Sequence, residues 1–153
     1  MAKYDMESFL KRFAKYCDMD ISFVKPVSDE LIQNFEKTVT VLPEDLKQLY
    51  TVTNGFFSVY IDVLPILDRN NIKRTWDSIE KANSSNTKFL VSSELLEHFC
   101  IFAQVRSNVA QALLFSKDTY DYFYQDMNDN KVKPADMSLQ KLLLYMQELG
   151  ELD

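Results

Sequence analysis

Glycine is nearly missing: Gly55 and Gly150 are the only 2 in 153 residues. Loops that cradle phosphates need several glycines in a short run, so P-loop and dinucleotide-binding fingerprints are excluded. Histidine is scarcer still. His98 stands alone, and its setting, Glu94-Leu95-Leu96-Glu97-His98, has neither HExxH nor another ligand spacing. It therefore reads as an exposed or partly packed histidine, and no metal site or cofactor is expected. Cysteine is limited to Cys17 and Cys100, without CxxC spacing, which suits buried thiols in a reducing cytosol. Cys100 lies two residues from His98, and on a strand the two would share a face. A single such pairing is a poor basis for a thiol enzyme. No apolar run approaches the roughly 18 residues that a membrane span requires. The opening MAKYDMESFLKRF is amphipathic and charged, unlike a signal sequence.

Positive charge is also in deficit. The net charge of -6 disfavours nucleic acid or an anionic membrane as a direct partner and favours solubility. The expected setting is the cytoplasm. The chain has the length of one domain, and such a chain buries about 68–70% of its unfolded surface. It needs no disulfide or metal to hold a core.

Phe9, Leu10, Phe13, Tyr16 and Cys17 follow helical spacing. This N-terminal helix, within residues 1–27, is expected to pack on a core covering residues 28–149. Ser28 is a good N-cap, with Asp29 and Glu30 suited to the positive end of the helix dipole. Ile32, Phe35 and Val39 form the buried stripe of that helix. Leu42-Pro43-Glu44-Asp45 opens the next, with Pro43 expected at its first position, and Asn54-Gly55 stops it. Phe57, Val59 and Ile61 then alternate with polar residues as in a strand. Val63-Leu64-Pro65-Ile66-Leu67 is apolar but broken by Pro65, which has no N–H to donate, and reads as an edge strand or extended lead-in. A helix over about 70–83 would carry Ile72, Trp76 and Ile79 on one face, followed by a loop at 84–87. The later half reads as strands over 99–105, 109–115 and 119–125, with a short one at 131–134. Ser138 caps a final helix that Gly150 would end. The late connections are too short for parallel crossovers, so the class is α+β, a mostly antiparallel sheet flanked by helices in a single domain.

Candidates for chemistry are few. Asp126-Met127-Asn128-Asp129-Asn130 starts like a calcium loop, but Lys131 and Met137 stand where that loop needs glycine and glutamate. A polar hairpin turn remains. No pair of carboxylates stands out for acid–base work. The stretch from Asp118 to Asp129 is more informative. Alternation would place Tyr120, Tyr122 and Tyr124 on one face, with Asp118, Asp121, Asp126 and Asp129 around them. Tyrosine offers large contact area and a polar tip, which suits a protein interface. The competing reading has one tyrosine face covering the core and the aspartates in turns.

One pattern resembles a known family. A helix with Ile32, Phe35 and Glu36 leads into Leu42-Pro43-Glu44-Asp45-Leu46-Lys47, then Leu49-Tyr50 and Asn54-Gly55. Leu64-Pro65-Ile66, a Trp76-bearing helix, the Phe99–Ala103 strand and the Ser138–Leu143 helix follow in order. This is similar to the SUKH superfamily, which includes yeast cell-wall-assembly regulators and many bacterial immunity proteins. The resemblance implies a non-enzymatic protein-binding domain, in bacteria typically one that neutralises a toxin, often a nuclease, by direct binding. A regulatory or scaffolding domain without a toxin is the alternative. A third is a small enzyme or ligand-binding protein with a pocket between helices and sheet.

Overall fold

The computed structural model describes residues 3–84, 89 and 91–152. Among them a 7-stranded sheet runs in strict chain order, each neighbouring pair antiparallel. The strands are β1 (Ile21–Phe23), β2 (Phe56–Ser58), β3 (Ile61–Val63), β4 (Phe99–Val105), β5 (Ala110–Ser116), β6 (Tyr122–Asp126) and β7 (Val132–Pro134). The helices are α1 (Lys3–Tyr16), α2 (Asp29–Thr38), α3 (Glu44–Val52), α4 (Ile72–Thr75), α5 (Ile79–Ala82), α6 (Ser93–His98) and α7 (Leu139–Leu152). The architecture is α+β, and the sheet is wholly antiparallel.

The central strands β4 and β5 read as apolar runs because core covers both their faces. Phe102 packs on Phe115 and on Tyr122, while Phe99 meets Phe123 with ring centroids 4.9 Å apart. α1 joins the same core: its Phe13 ring lies 5.5 Å from Phe56 of β2. Leu46, Leu49 and Tyr50 of α3 and Leu139, Leu142, Leu143 and Met146 of α7 are buried. Ser28 caps α2 as its position suggested, accepting from the Leu31 N–H at 3.2 Å.

Several sequence expectations give way. The alternation over Phe57–Ile61 crosses a turn, so β2 and β3 form a hairpin rather than one strand. Ser58 explains the reversal, since its Oγ donates to the Ile61 carbonyl at 2.6 Å and accepts from the Ile61 N–H at 3.2 Å. Arg106 locks it, donating to the Ser58 and Val59 carbonyls and to both oxygens of Asp62 at 2.7–2.9 Å. The helix expected over 70–83 breaks into a 3-10 turn (Arg69–Asn71), α4 and α5, because Ser78 starts a new helix by accepting from the Lys81 N–H. Ile79 is buried, but Ile72 and Trp76 are exposed, Trp76 at 61%. Pro43 sits one position earlier than expected, at the N-cap of α3. Gly150 lies inside α7, where a Cβ would stand 2.3 Å from the Tyr60 ring. Close approach, not helix termination, explains that glycine. The loop expected at 84–87 falls largely outside the described residues, as does Leu90.

Between β3 and the 3-10 turn, an irregular strap from Leu64 to Asp68 crosses the core. Buried backbone without regular structure must find partners for its polar groups, and here most of the partners are side chains. Leu64 donates to the Phe102 carbonyl at 2.8 Å, and its own carbonyl accepts from the Tyr50 hydroxyl at 2.6 Å. Pro65 has no N–H to satisfy, and its carbonyl accepts from Ile79 N–H at 2.8 Å. The Asn54 amide grips Ile66 at both ends, accepting from its N–H and donating to its carbonyl, each at 2.8 Å. Leu67 N–H goes to the Glu80 carboxylate and Asp68 N–H to Thr75 Oγ1. Gly55 has φ +80, and a Cβ there would lie 2.2 Å from the Val63 carbonyl oxygen. Tyr50, Asn54 and Gly55 thus act as one clamp on the strap.

Candidate functional site

A cleft of about 840 Å3 opens where three pieces of chain meet: the Val41–Asp45 entry to α3, the Tyr120–Phe123 start of β6, and the Pro134–Ser138 link into α7. Asp45 ties them together. Its carboxylate accepts from the Tyr122 hydroxyl and, at 3.3 Å, from the Leu139 N–H at the start of α7. It also accepts from Leu46 N–H at 2.9 Å, so a negative charge sits at the positive end of α3. Burial, together with the Asp45 charge, pushes the Tyr122 phenol far above its ordinary range and keeps it a donor.

The entry loop is rigid for reasons visible in its sequence. Glu36 at the end of α2 accepts from the Leu42 N–H at 3.0 Å and pairs with Lys47 at 2.9 Å, drawing the α2–α3 turn shut. Pro43, itself buried, fixes the backbone before Glu44. On the facing wall Ser116 Oγ accepts from the Asp118 and Thr119 N–H groups, and Tyr120 adopts φ +63. That left-handed residue ends the alternation expected from Tyr120 to Tyr124. Tyr120 stands out in the turn and Tyr122 is buried at the strand start.

Glu44, Asp45, Asp121 and Asp136 line the cleft, and among the described residues no lysine or arginine does. Glu44, Asp121 and Asp136 are exposed, and Tyr120, at 41% exposure, stands beside them. Of the residues expected at an interface, this cleft gathers Tyr120, Asp121 and Tyr122. Tyr124 lies in the middle of β6, and Asp126 and Asp129 belong to its far end, in the hairpin to β7. There Lys133 pairs with Asp126 at 2.9 Å and with Asp129 at 3.1 Å. The Lys133 ammonium holds the Asp126 carboxyl below the usual range, and the Lys131 N–H does the same for Asp129. Asp118 faces His98 across 3.5 Å, both well exposed. Glu44, Asp45 and Asp136 are additions to the set. In sequence Glu44 and Asp45 read only as part of the segment that opens α3, and only the β7–α7 link brings Asp136 alongside.

Both thiols are free and buried. Burial pushes Cys100 up to about 12 and Cys17 up to about 11, whereas a reactive cysteine needs a lowered value. His98 ends α6 and is exposed, while Cys100 is buried on β4, so the two do not share a face.

The profile of the SMI1 / KNR4 family (SUKH-1) matches residues 26–143. The chain belongs to that family. No curated protein matches it significantly. In this SUKH member the residues that carry the sequence resemblance are mostly buried or hold backbone: Ile32, Phe35, Leu42, Leu46 and Leu49 in the core, Glu36 and Pro43 at the α2–α3 turn, and Tyr50, Asn54 and Gly55 at the clamp. Trp76 is the exception, exposed with the Lys81 ammonium 5.2 Å from its ring centre. Membership supports a protein-interaction domain in general. No described helix is long and apolar enough to cross a membrane.

Proposed function

We propose that the chain is a cytoplasmic immunity protein that neutralises a basic bacterial toxin, such as a nuclease, by seating it on the acidic cleft. The observation that carries this reading is the cleft's lining: four carboxylates, aromatic side chains and, among the described residues, no cation. Low-dielectric walls of one sign focus potential and speed encounter with an oppositely charged surface. A nuclease must be cationic where it holds its substrate's phosphates, so the surface the cleft attracts is the one whose masking abolishes activity. Tyr120 and the half-buried Phe123 supply contact area once the charges have aligned. Tyr124, Asp118, Asp126 and Asp129 would stand outside this contact or at its rim.

The test is co-expression with toxins encoded beside the gene, followed by purification of the complex. One of them should be neutralised and bound directly, and Asp121→Lys with Asp136→Lys should abolish protection. Failure to bind or neutralise any of them would refute the proposal.

A further inference from the structure

A second concavity differs from the cleft in both charge and polarity. It is an open groove of about 590 Å3 between α1, β1 and the end of α3. Leu10, Ala14, Val24 and Val52 give it an apolar floor, and Met19 and Phe23 stand at its edge. These last two are exposed, at 67% and 40%. Met19 is held outward by backbone rather than left loose. Asp18 and Met19 both have positive φ, 53° and 61°, and the Met19 N–H returns to the Ala14 carbonyl at 2.8 Å. Successive left-handed residues with side chains cost energy, and here the cost presents a large apolar group to solvent.

Lys11, Lys15 and Lys25 rim the same groove, against a single acid, Glu7, among the lining residues. None of them forms an ion pair among the described residues. Lys11 and Lys15 are four apart on α1, so they face the same way and repel. In a protein of net charge -6, three unpaired cations around an apolar trough are out of keeping with their surroundings. Most of the lining also precedes residue 26, where the family match begins. The groove therefore lies largely outside the residues matched to the family.

We propose that this groove is a second docking site, for an acidic peptide segment of a protein partner. One or two large apolar side chains would fill the floor, and carboxylates on either side would pair with Lys11, Lys15 and Lys25. The charge pattern selects this occupant. A fatty acid brings one carboxylate to three cations, and a nucleic acid brings phosphates but no aliphatic groups for the floor. β1 is the edge strand of the sheet, so an extended segment has a free strand edge beside the groove to lie along.

A fluorescein-labelled peptide with a Phe-Leu pair flanked by glutamates serves as the probe, read by fluorescence anisotropy. Its counterpart carries lysine in place of glutamate. The glutamate peptide should bind, with affinity falling as salt rises. Lys11→Glu with Lys15→Glu should weaken it by about tenfold or more and flatten the salt dependence. Phe23→Ser should weaken it without changing the salt slope. Lys25→Glu, on an exposed stretch, gives the same reading should the double variant fold poorly. Asp121→Lys with Asp136→Lys should leave this binding unchanged. The proposal is overturned by failure of the glutamate peptide to bind, by equal binding of the lysine peptide, or by indifference to the lysine reversals. It is equally overturned if decanoate binds with the same lysine dependence while the peptide does not.

Discussion

The Leu64–Asp68 strap and the cleft beside Asp121 are both crowded with polar groups, and they dispose of them in opposite ways. In the strap every available N–H is matched to a named acceptor within the fold. In the cleft Glu44, Asp121 and Asp136 reach into solvent with no cation among the described lining residues. The first arrangement stabilises: removing one partner leaves a buried group unsatisfied. The second contributes little to folding, and its field is available to a partner. Tyr50, Asn54 and Gly55, which carry part of the sequence resemblance, serve the first kind of region, and the proposed recognition uses the second.

The largest break in that contrast should come from Gly55→Ala. The new Cβ would meet the Val63 carbonyl oxygen, and φ +80 disfavours any side chain, so a loss of about 3 kcal/mol or more is expected in urea denaturation. Asn54→Ala comes next. It orphans both the N–H and the carbonyl of Ile66 in a fully buried setting, for a loss of about 2–4 kcal/mol. Asn83 offers an internal control. Its amide grips Ile101 in the same two-way fashion, at 2.7 Å each, from a part-buried position. Water can replace it more readily, so Asn83→Ala should cost about 1 kcal/mol. Equal losses at the two asparagines would show that burial is not what distinguishes them.

A smaller effect is read through pH. Burial raises the Glu80 carboxyl above its ordinary value, partly offset by the Leu67 N–H it accepts. The folded state therefore keeps that proton to higher pH than the unfolded chain does. The associated stability is present below the unfolded value and is lost as pH rises through the folded one. Glu80→Gln retains an acceptor for Leu67 and should flatten the decline in stability above about pH 4.3, the ordinary glutamate range. An identical pH profile in the two proteins would remove Glu80 as its source.

Much of the fold was legible in the sequence because its signals are local. Ser28 caps a helix with its own hydroxyl, and the short connections around Arg106–Asn108 and Asp126–Lys131 leave the strands no choice but to pair antiparallel. What escaped depends on groups distant in the chain. Ser58 is the one local signal of the turn at Val59, and Arg106, which locks it, comes from 44 to 48 residues away. Asn54-Gly55 reads as a helix stop, yet its main task is to grip a segment 12 residues on. Tyr120 looks like a strand residue by alternation, and the Ser116 turn overrides it. The cleft was half legible for the same reason. Tyr120, Asp121 and Tyr122 are contiguous, whereas Glu44, Asp45 and Asp136 join them only through the meander.

The contrast between scaffold and surface is tested most directly by one paired measurement on Asp121→Lys with Asp136→Lys, using the toxin that the wild-type chain neutralises. Unfolding stability should stay within about 0.5 kcal/mol of wild type, as for exposed residues generally. Association with the toxin should slow at least tenfold and lose most of its salt dependence, about what reversing a steering field should do. A stability loss comparable to that of Asn54→Ala, or an unchanged association rate, would contradict that contrast.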